Sequence, residues 1–427
     1  MSQAISITEQ LFQFIWQFRY FNQSALRLET GEAVKIISPG NANQNQGPDF
    51  LDARIKIDNT CWVGHIELHL RSSDWDKHEH SHDKNYTNVI LHVVLEDDGL
   101  LREMNIPTLV LQHHISKLLL EKYSEWMHDQ AFIPCEQTIR YVNEIIWASW
   151  KQRMLVERLQ RRGQIIMSYL EQSLGHWEEI FWWLLAANFG AKVNAMAFEA
   201  IARTLPTVLL ARHKNHIHQL EALLLGQAGL LDQHFEESYP KMLRKEYDFL
   251  QAKYQLKKAY QPVHFLRMRP GNFPTIRLSQ LASLIHRSSH LFSKIKGMDS
   301  LSEVKSWLSV QANDYWHYHY MLDETSSYSI KCMGKQTIEN IIINTIVPVL
   351  YTYGSFHQDD QLKSKALRWM EQIPAEVNSV MAKWKALNLI PANAGESQAM
   401  LEIKNFYCDQ KRCLDCAVGN ALLKRMV

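Results

Sequence analysis

The residues with the greatest chemical potential concentrate between Gly47 and Leu95, a stretch that holds six of the 20 histidines. Asp49 precedes one run of alternating apolar residues, and Glu67 and His69 lie in the next run. Residues two apart in a strand point to the same face, so Glu67 and His69 are expected on one face. Carboxylates suit Mg²⁺ or Mn²⁺, and such a cation lowers the pKa of an attacking water. The pattern predicts a metal-assisted catalytic site of Asp49, Glu67 and His69, with both carboxylates as metal ligands.

Two strands joined by a short turn must position these groups. Alternating apolar residues predict the first strand over residues 53–57, and Asn59-Thr60 is expected to reverse the chain. A two-residue turn at that place brings Asp52 opposite Glu67. Asp52 is therefore a further candidate metal ligand.

Other elements frame this hairpin. Thr8 to Phe21 is predicted to be an amphipathic helix with Thr8 as its cap and Glu9 in its first turn. Val89 to Leu95 is apolar apart from His92, which predicts a central strand covered on both faces.

A polar segment after the hairpin carries three alternating histidines. Its candidate ligands for Zn²⁺ or Mn²⁺ are Asp74, His78, His80, His82 and Asp83. The alternative is a polar surface loop whose histidines cap turns.

The pattern Cys408-x4-Cys413-x2-Cys416 forms a third candidate metal site. Zinc or an iron–sulfur cluster normally needs four ligands, so a distant residue must supply the fourth. Cys135 is one candidate, and Cys332 or a histidine are others. The alternative is three unpaired thiols at the start of a helix.

A basic and aromatic helix is a candidate surface for nucleic acid, because arginines contact phosphates. Its arginines are Arg153, Arg158, Arg161 and Arg162, and they accompany Trp147 and Trp150. A solvated helix face with an aromatic seam is the alternative.

The fold class predicted from these patterns is α+β. Residues 1–134 are expected to form an α/β domain with a mixed sheet, and residues 135–427 a helical domain that ends in the cysteine cluster. The hydrophobic fraction of 46% and charged fraction of 21% are typical of a globular chain.

Composition also limits the function. A net charge of +1 argues against coating nucleic acid by bulk charge, although a local basic groove remains open. We find no signal sequence, no membrane-spanning apolar run and no disulfide-like cysteine framework, so a cytoplasmic protein without a membrane partner is expected. Motifs of nucleotide hydrolysis, dinucleotide binding and serine hydrolases are also missing.

The order of a helix, short strands, Asp49 and then Glu67-Leu68-His69 resembles the PD-(D/E)XK nuclease superfamily. In that superfamily, an Asp on one strand and a Glu-X-Lys on the next form the metal site, after a helix that often contributes a Glu. His69 stands at the lysine position, where it replaces a permanent cation by a group that titrates near neutrality. The resemblance implies nuclease activity.

A second resemblance runs nearly from end to end. The sequence is similar to a bacterial family catalogued only as a domain of unknown function, and the similarity rests on GPDFLDARIKID, GHIELHLRSSDW, DKNYTNVILHVV, ANFGAKVNAMAFE, LLLGQAGLL, RPGNFPTIRLSQLA, INTIVPVLYTYG and YCDQKRCLDCAVGN. This resemblance implies no activity.

Two hypotheses follow for the function. The first is a nuclease or related phosphodiester hydrolase that uses Mg²⁺ or Mn²⁺ and holds nucleic acid on its helical part. The second is a scaffold that binds nucleic acid or protein and contains a structural metal site, in which Asp49, Glu67 and His69 are only solvated charges on an open face of the sheet. The oligomeric state is left open.

Overall fold

A computed structural model describes residues 7–43, 45–78, 83–99, 106–266, 268–288 and 290–426. It confirms the α+β class, because an N-terminal mixed sheet is followed by a predominantly helical chain. The strands are β1 Val34–Ser38, β2 Asn41–Ala42, β3 Phe50–Ile57, β4 Thr60–Arg71, β5 Val89–Glu96, β6 Thr108–Val110, β7 His319–Met321 and β8 Glu324–Thr325.

The helices occupy most of the remaining described chain. They are α1 Glu9–Phe18, α2 Asp74–Lys77, α3 Lys117–His128, α4 Glu144–Gln172, α5 Trp177–Phe189, α6 Ala191–Thr204, α7 Thr207–His213, α8 Ile217–Gln227, α9 Ser238–Tyr254, α10 Pro274–Arg287, α11 Leu291–Lys296, α12 Leu301–Leu308, α13 Lys335–Ile341, α14 Val347–Phe356, α15 Asp360–Gln372, α16 Ser379–Ala386, α17 Ala394–Ile403 and α18 Ala417–Lys424. Two π-helical turns, Ile342–Ile346 and Lys404–Cys408, precede α14 and follow α17.

The first helix begins as the sequence predicts. The Thr8 hydroxyl accepts a hydrogen bond from the Leu11 backbone N–H at 3.2 Å, which satisfies one of the unpaired donors of the first turn. The helix ends at Phe18, before the predicted Phe21, because Arg19 adopts a left-handed conformation with φ of 55°. Its apolar face packs against β4.

The sheet has the strand order β1-β3-β4-β5-β6, and β2 pairs with β3. β1, β3 and β4 are antiparallel neighbours, whereas β5 runs parallel to β4 and β6 runs parallel to β5. The predicted turn at Asn59-Thr60 is wrong, since Ile57 pairs with Thr60 and the two turn residues are Asp58 and Asn59. Asp58 takes a positive φ of 49°, which a short polar residue tolerates in a tight turn.

The close approach of β4 and β5 depends on one glycine. A Cβ atom placed on Gly64 would lie 2.5 Å from Ile90 Cγ2 and 2.6 Å from the Asn88 carbonyl oxygen. No other residue fits this contact without displacing the backbone of Asn88. β5 is buried from Val89 to Val94, as its apolar run predicts.

The chain forms two compact units. The first comprises residues 1–153, 382–389 and 400–427, and contains the sheet. In this unit, α18 packs against α3 and against a short 3₁₀ turn, Ile139–Tyr141. Its aromatic contacts include Trp384 with Phe132, at 5.2 Å between ring centroids, and Trp150 with Tyr407, at 5.1 Å.

The second unit comprises residues 154–381 and 390–399, and it is built from helices around one large apolar core. The sequence predicts only helices here, but β7 and β8 form a two-stranded hairpin within this unit. The hairpin follows a 3₁₀ turn at Asp314–His317, whose Trp316 is fully buried. Trp316 therefore serves the packing of this unit.

In the described part of the chain, no single helix is long and apolar enough to cross a membrane. One bent pair, α6 with α7, meets the length and composition requirements only when its two helices are taken together.

Candidate active site

Asp49 and Glu67 meet at one end of the β3–β4 hairpin. The Asp49 backbone N–H donates to Glu67 Oε2 at 3.0 Å, and the Leu68 backbone N–H donates to Asp49 Oδ2 at 3.1 Å. These reciprocal bonds arise because Phe50 pairs with Ile66, which brings Asp49 beside Glu67. The carboxylates that the sequence analysis selected therefore converge.

The first helix adds polar groups to the two carboxylates. The Gln13 side-chain amide donates to Asp49 Oδ1 at 2.8 Å. Glu9, one turn earlier on the same helix, lies close enough for its charge to raise the pKa of both Asp49 and Glu67. Sequence analysis missed Gln13, which lies one turn after Glu9 on the predicted helix.

Burial makes ionisation of both carboxyl groups costly. Burial raises the pKa of Asp49, while the N–H donors from Leu68 and Gln13 oppose this effect. Burial and the neighbouring Asp49 raise the pKa of Glu67 to about 8. Glu67 is only 5% exposed, so solvent screens it weakly. A bound cation would favour the ionised forms of both groups.

His69 connects this pair to two other histidines. Its Nε2 lies 3.6 Å from Glu67 Oε1 and 3.2 Å from His78 Nδ1, while its Nδ1 lies 2.9 Å from His92 Nε2. His69 and His92 are buried, and His78 is exposed. The three imidazoles form a continuous row from the interior of the sheet to the surface beside Glu67.

His92 is a second residue that sequence analysis did not assign to the site. It faces His69 because β5 runs parallel to β4 and pairs Glu67 with His92. Trp75 packs near both rings, with centroids 6.2 Å from His69 and 5.1 Å from His92. The signal in the sequence was a single polar residue inside an apolar strand, because a buried imidazole needs a polar partner.

Asp52 lies elsewhere on the hairpin. A bulge between Phe50 and Ala53 gives Asp52 a positive φ of 57° and leaves it exposed. Its backbone N–H points to His65 Nδ1 at 3.4 Å, so the expectation that it stands opposite Glu67 is wrong.

The candidate loop residues have different surroundings. Asp74 accepts hydrogen bonds from the Arg71 N–H at 3.1 Å and from Lys77 Nζ at 2.6 Å. Asp83 accepts from the Asn85 N–H at 2.9 Å. His80 and His82 lie outside the described residues.

Tyr86 also belongs to the electrostatic surroundings of the carboxylate pair. Burial raises its pKa to about 12, and the charges of Glu67, Asp49 and Asp83 act in the same direction. The proximity of Tyr86 to both carboxylates agrees with a place at the entrance of the site.

An open cavity of about 930 Å³ reaches Asp49. Gln10 and Gln13 of α1 line it together with Asp49, and Arg153 and Lys424 are the cations in its lining. All of these residues belong to the first unit. The cavity gives one of the two carboxylates access to a solute.

The four candidate arginines differ in their contacts. The Arg153 guanidinium lies 5.3 Å from the centre of the Trp150 ring and is exposed. In the second unit, Arg158 donates to Asn344 Oδ1 at 3.1 Å and Arg162 donates to the Asn344 carbonyl oxygen at 3.4 Å. Burial lowers the pKa of Arg162, and the charge of the nearby Arg161 acts in the same direction. Of the four, Arg153 lines the cavity that reaches Asp49.

All six cysteines lie in the described chain and are free thiols. Cys135, Cys413 and Cys416 are buried, Cys408 is half-buried, and Cys61 and Cys332 are exposed. Cys135 and the C-terminal three belong to the first unit, whereas Cys332 belongs to the second. Among the described residues, no group of three or more His, Cys, Asp or Glu side chains is already positioned to hold a metal ion.

Comparison with known proteins identifies the family. Residues 9–379 match the model of a family described as "Protein of unknown function (DUF2851)". The chain belongs to the DUF2851 family. The match includes Asp49, Glu67 and Cys135 of this DUF2851 chain, and the C-terminal cysteines follow it. No curated protein and no solved structure matches the chain.

Proposed function

We propose that the chain is a phosphodiester hydrolase that uses Mg²⁺ or Mn²⁺ and acts on nucleic acid. The observation that carries this proposal is the meeting of a buried carboxylate, Glu67, and a half-buried one, Asp49, beside an open cavity. Two carboxylates with raised pKa values at one point are costly for the fold and are typical of sites that bind a cation.

The donor set fits a hard divalent cation. Mg²⁺ usually keeps several waters and binds one or two protein carboxylates together with the phosphates of its substrate. Asp49 and Glu67 supply this number, so a preformed group of three side chains is not required. When bound, the cation would neutralise charge on the phosphate and lower the pKa of a coordinated water.

The residues of the chain have separate roles in this proposal. Asp49 and Glu67 hold the cation, and Gln13 keeps the Asp49 carboxylate in place through its 2.8 Å hydrogen bond. His69 Nε2, 3.6 Å from Glu67 Oε1, is positioned to accept a proton from water beside Glu67. His92 orients the His69 ring through the 2.9 Å contact between their nitrogens.

The order of elements supports the resemblance to PD-(D/E)XK nucleases. β3 follows Asp49, the antiparallel β4 carries Glu67-Leu68-His69, and β5 lies parallel to β4. α1 precedes them and brings Glu9 and Gln13 toward the carboxylates. The departure is His69 at the lysine position, and a buried His92 behind it.

Arg153 is the proposed contact to the phosphate backbone of the substrate. It lines the same cavity as Asp49, and an exposed guanidinium pairs well with phosphate oxygens. We also propose a cytoplasmic location, because six free thiols suit a reducing compartment.

The decisive experiment compares wild type with Glu67→Gln and Asp49→Asn. Binding of Mn²⁺ is measured by calorimetry, and cleavage of single-stranded DNA, duplex DNA and RNA is measured in Mg²⁺ and Mn²⁺. Both substitutions keep the shape of the side chain but remove its charge, so we expect weaker Mn²⁺ binding and at least ~100-fold slower cleavage.

Asp52→Asn is the matched control, because it removes an exposed carboxylate from the same hairpin without touching the converging pair. We expect it to bind Mn²⁺ and cleave like wild type. Wild-type protein that neither binds Mn²⁺ nor cleaves any of these substrates would overturn the proposal in favour of a non-enzymatic scaffold.

A further inference from the structure

Four of the six cysteines gather in the first unit. Cys135, Cys413 and Cys416 are 9%, 7% and 8% exposed. Cys408 lies close enough to these three for their charges to raise its pKa, and Cys413 and Cys416 act on Cys135 in the same way. The Ile139 N–H donates to the Cys135 carbonyl oxygen at 2.8 Å, and α18, which begins just after Cys416, packs against the turn that starts at Ile139. The four thiols therefore lie in one neighbourhood, although Cys135 is separated from the others by most of the sequence.

Hydrogen bonds to backbone carbonyl groups hold the four cysteines in this neighbourhood. Lys411 Nζ donates to the carbonyl oxygens of Met127 and Asp129 at 2.6 Å each, which ties the C-terminal segment to the chain just before Cys135. Cys416 is the N-cap of α18, and its N–H lies 3.4 Å from the Cys413 carbonyl oxygen. The C-terminal cysteines are thus held to one another and to the segment that precedes Cys135.

Burial raises the pKa of all four thiols, and positive groups beside three of them oppose this effect. Burial raises the pKa of Cys416, and the backbone N–H groups of Val418 and Gly419, which are directed at its sulfur, oppose this effect. The charge of Lys411 opposes the rise in the pKa of Cys413, and the charge of Lys404 opposes the rise in the pKa of Cys408. Two lysines and the amide groups of a helix start are the charge compensation that a cluster of thiolates requires.

We propose that Cys135, Cys408, Cys413 and Cys416 bind one zinc ion as a structural tetrathiolate site. Zinc favours four ligands in a closed tetrahedral arrangement, and thiolates are its preferred ligands in structural sites. Each thiol releases one proton as its sulfur binds, so a site with four thiolates and Zn²⁺ carries a charge of −2. Lys404 and Lys411 provide two positive charges beside it.

Binding requires small side-chain movements. Among the described residues no three such side chains already stand at positions that could hold an ion. Neutral thiols do not attract one another, and burial keeps them neutral by raising their pKa, that of Cys413 to about 12. Rotation about χ1 moves a sulfur between staggered positions without displacing the backbone. The ion supplies the attraction that brings the sulfurs together.

The proposal does not depend on hydrolytic activity. It does link the cluster to the cavity, because Leu414, Asp415, Cys416 and Ala417 line the same space as Asp49. A zinc ion at the cluster would fix the wall of the cavity opposite α1.

The experiment measures metal bound to full-length protein purified without oxygen, by elemental analysis of zinc and iron. We expect one zinc per chain in wild type, and less than a tenth of that in Cys413→Ser and Cys416→Ser. Cys61→Ser and Cys332→Ser are matched controls, because these two exposed thiols lie outside the cluster, and both should keep the full zinc content.

A second measurement on wild type covers the case in which cluster variants fail to fold. Apo protein reconstituted with Co²⁺ should show sulfur-to-cobalt charge-transfer absorption, and native zinc protein should expose two rapidly reacting thiols, with four more after chelation. Wild type without bound metal and without cobalt–sulfur absorption would overturn the proposal. Iron with labile sulfide in place of zinc would overturn the choice of zinc and assign an iron–sulfur cluster to the same four residues.

Discussion

Glu67 is buried beside a second carboxylate, and this combination decides its protonation. In the unfolded chain its ordinary pKa is 4.5, whereas burial and Asp49 raise the pKa to about 8 in the folded protein. Between these values, the folded chain holds a proton on Glu67 that the unfolded chain has released. The free energy of unfolding therefore falls as the pH rises through this window, in the absence of a cation.

Glu67→Gln should remove this fall in the free energy of unfolding at high pH. Glutamine remains neutral at every pH and still accepts the Asp49 N–H, so we expect the variant to be more stable than wild type at pH 8.5 by about 1–3 kcal/mol. The advantage should vanish near pH 5, where wild type is also neutral at this position. Urea unfolding in EDTA at both pH values checks the prediction, and an equal difference at the two values would contradict it.

The identity of the site residues was accessible from sequence because Glu67 and His69 share one face of a predicted strand and Asp49 comes just before the preceding strand. The structure brings these three residues together. The contribution of Gln13 was not accessible, because an amide on the polar face of a helix looks like any solvated residue. Only the packing of α1 on β4 turns it toward Asp49.

At the scale of elements, the hairpin shows what alternation can and cannot predict. Moving the predicted turn by one position changes the partner of Ile57 from Trp62 to Thr60. Such a slip of two residues leaves every side chain on its face, because strand side chains repeat with period two. Alternation therefore predicts the faces but not the partners. The alternation also does not predict the bulge at Asp52.

Gly64 is the element-scale residue on which the site depends most. Gly64→Ala should separate β4 from β5, because the added Cβ would lie 2.6 Å from the Asn88 carbonyl oxygen. We expect a loss of about 1–3 kcal/mol in the free energy of unfolding, measured by urea titration. The displacement should also weaken the contact between His69 and His92, which ring-nitrogen NMR can detect.

Gly334→Ala is the control for this substitution. Its added Cβ would meet no atom within 4 Å, and its φ of −69° is accessible to alanine. We expect its stability to change by less than ~0.5 kcal/mol or to rise slightly. Equal losses for the two alanine variants would show that the β4–β5 contact does not determine the outcome.

At the scale of the whole molecule, the first unit is assembled from three separate parts of the chain. Helical periodicity predicts that segments of residues 135–427 are helices with one buried face. It does not indicate against which partner they pack, because apolar spacing reports burial alone. The contacts of α18 with α3 are therefore information that only the folded structure contains.

Deletion of residues 400–427 should test this assembly. The deletion removes α18, whose Val418, Leu422 and Leu423 are buried in the first unit. We expect amide hydrogen exchange in α3 to accelerate by at least ~10-fold, because its partner surface is lost. Protection in α8, inside the core of the second unit, should be retained. Unchanged protection of α3 would contradict the assignment of α18 as its partner.

The cavity beside Asp49 has a consequence for the order in which the site is completed during translation. Its lining comes from residues 10–50, from 146–153 and from 414–424. On a ribosome, the carboxylate pair emerges early, but the wall that contains Cys416 follows about 260 residues after Arg153, which takes roughly tens of seconds at ordinary elongation rates. During that interval Tyr20 lacks Asn420, the residue to which its hydroxyl donates at 2.5 Å. The nascent chain therefore contains both carboxylates before the cavity is complete. The whole lining of the cavity exists only after the entire second unit has been translated.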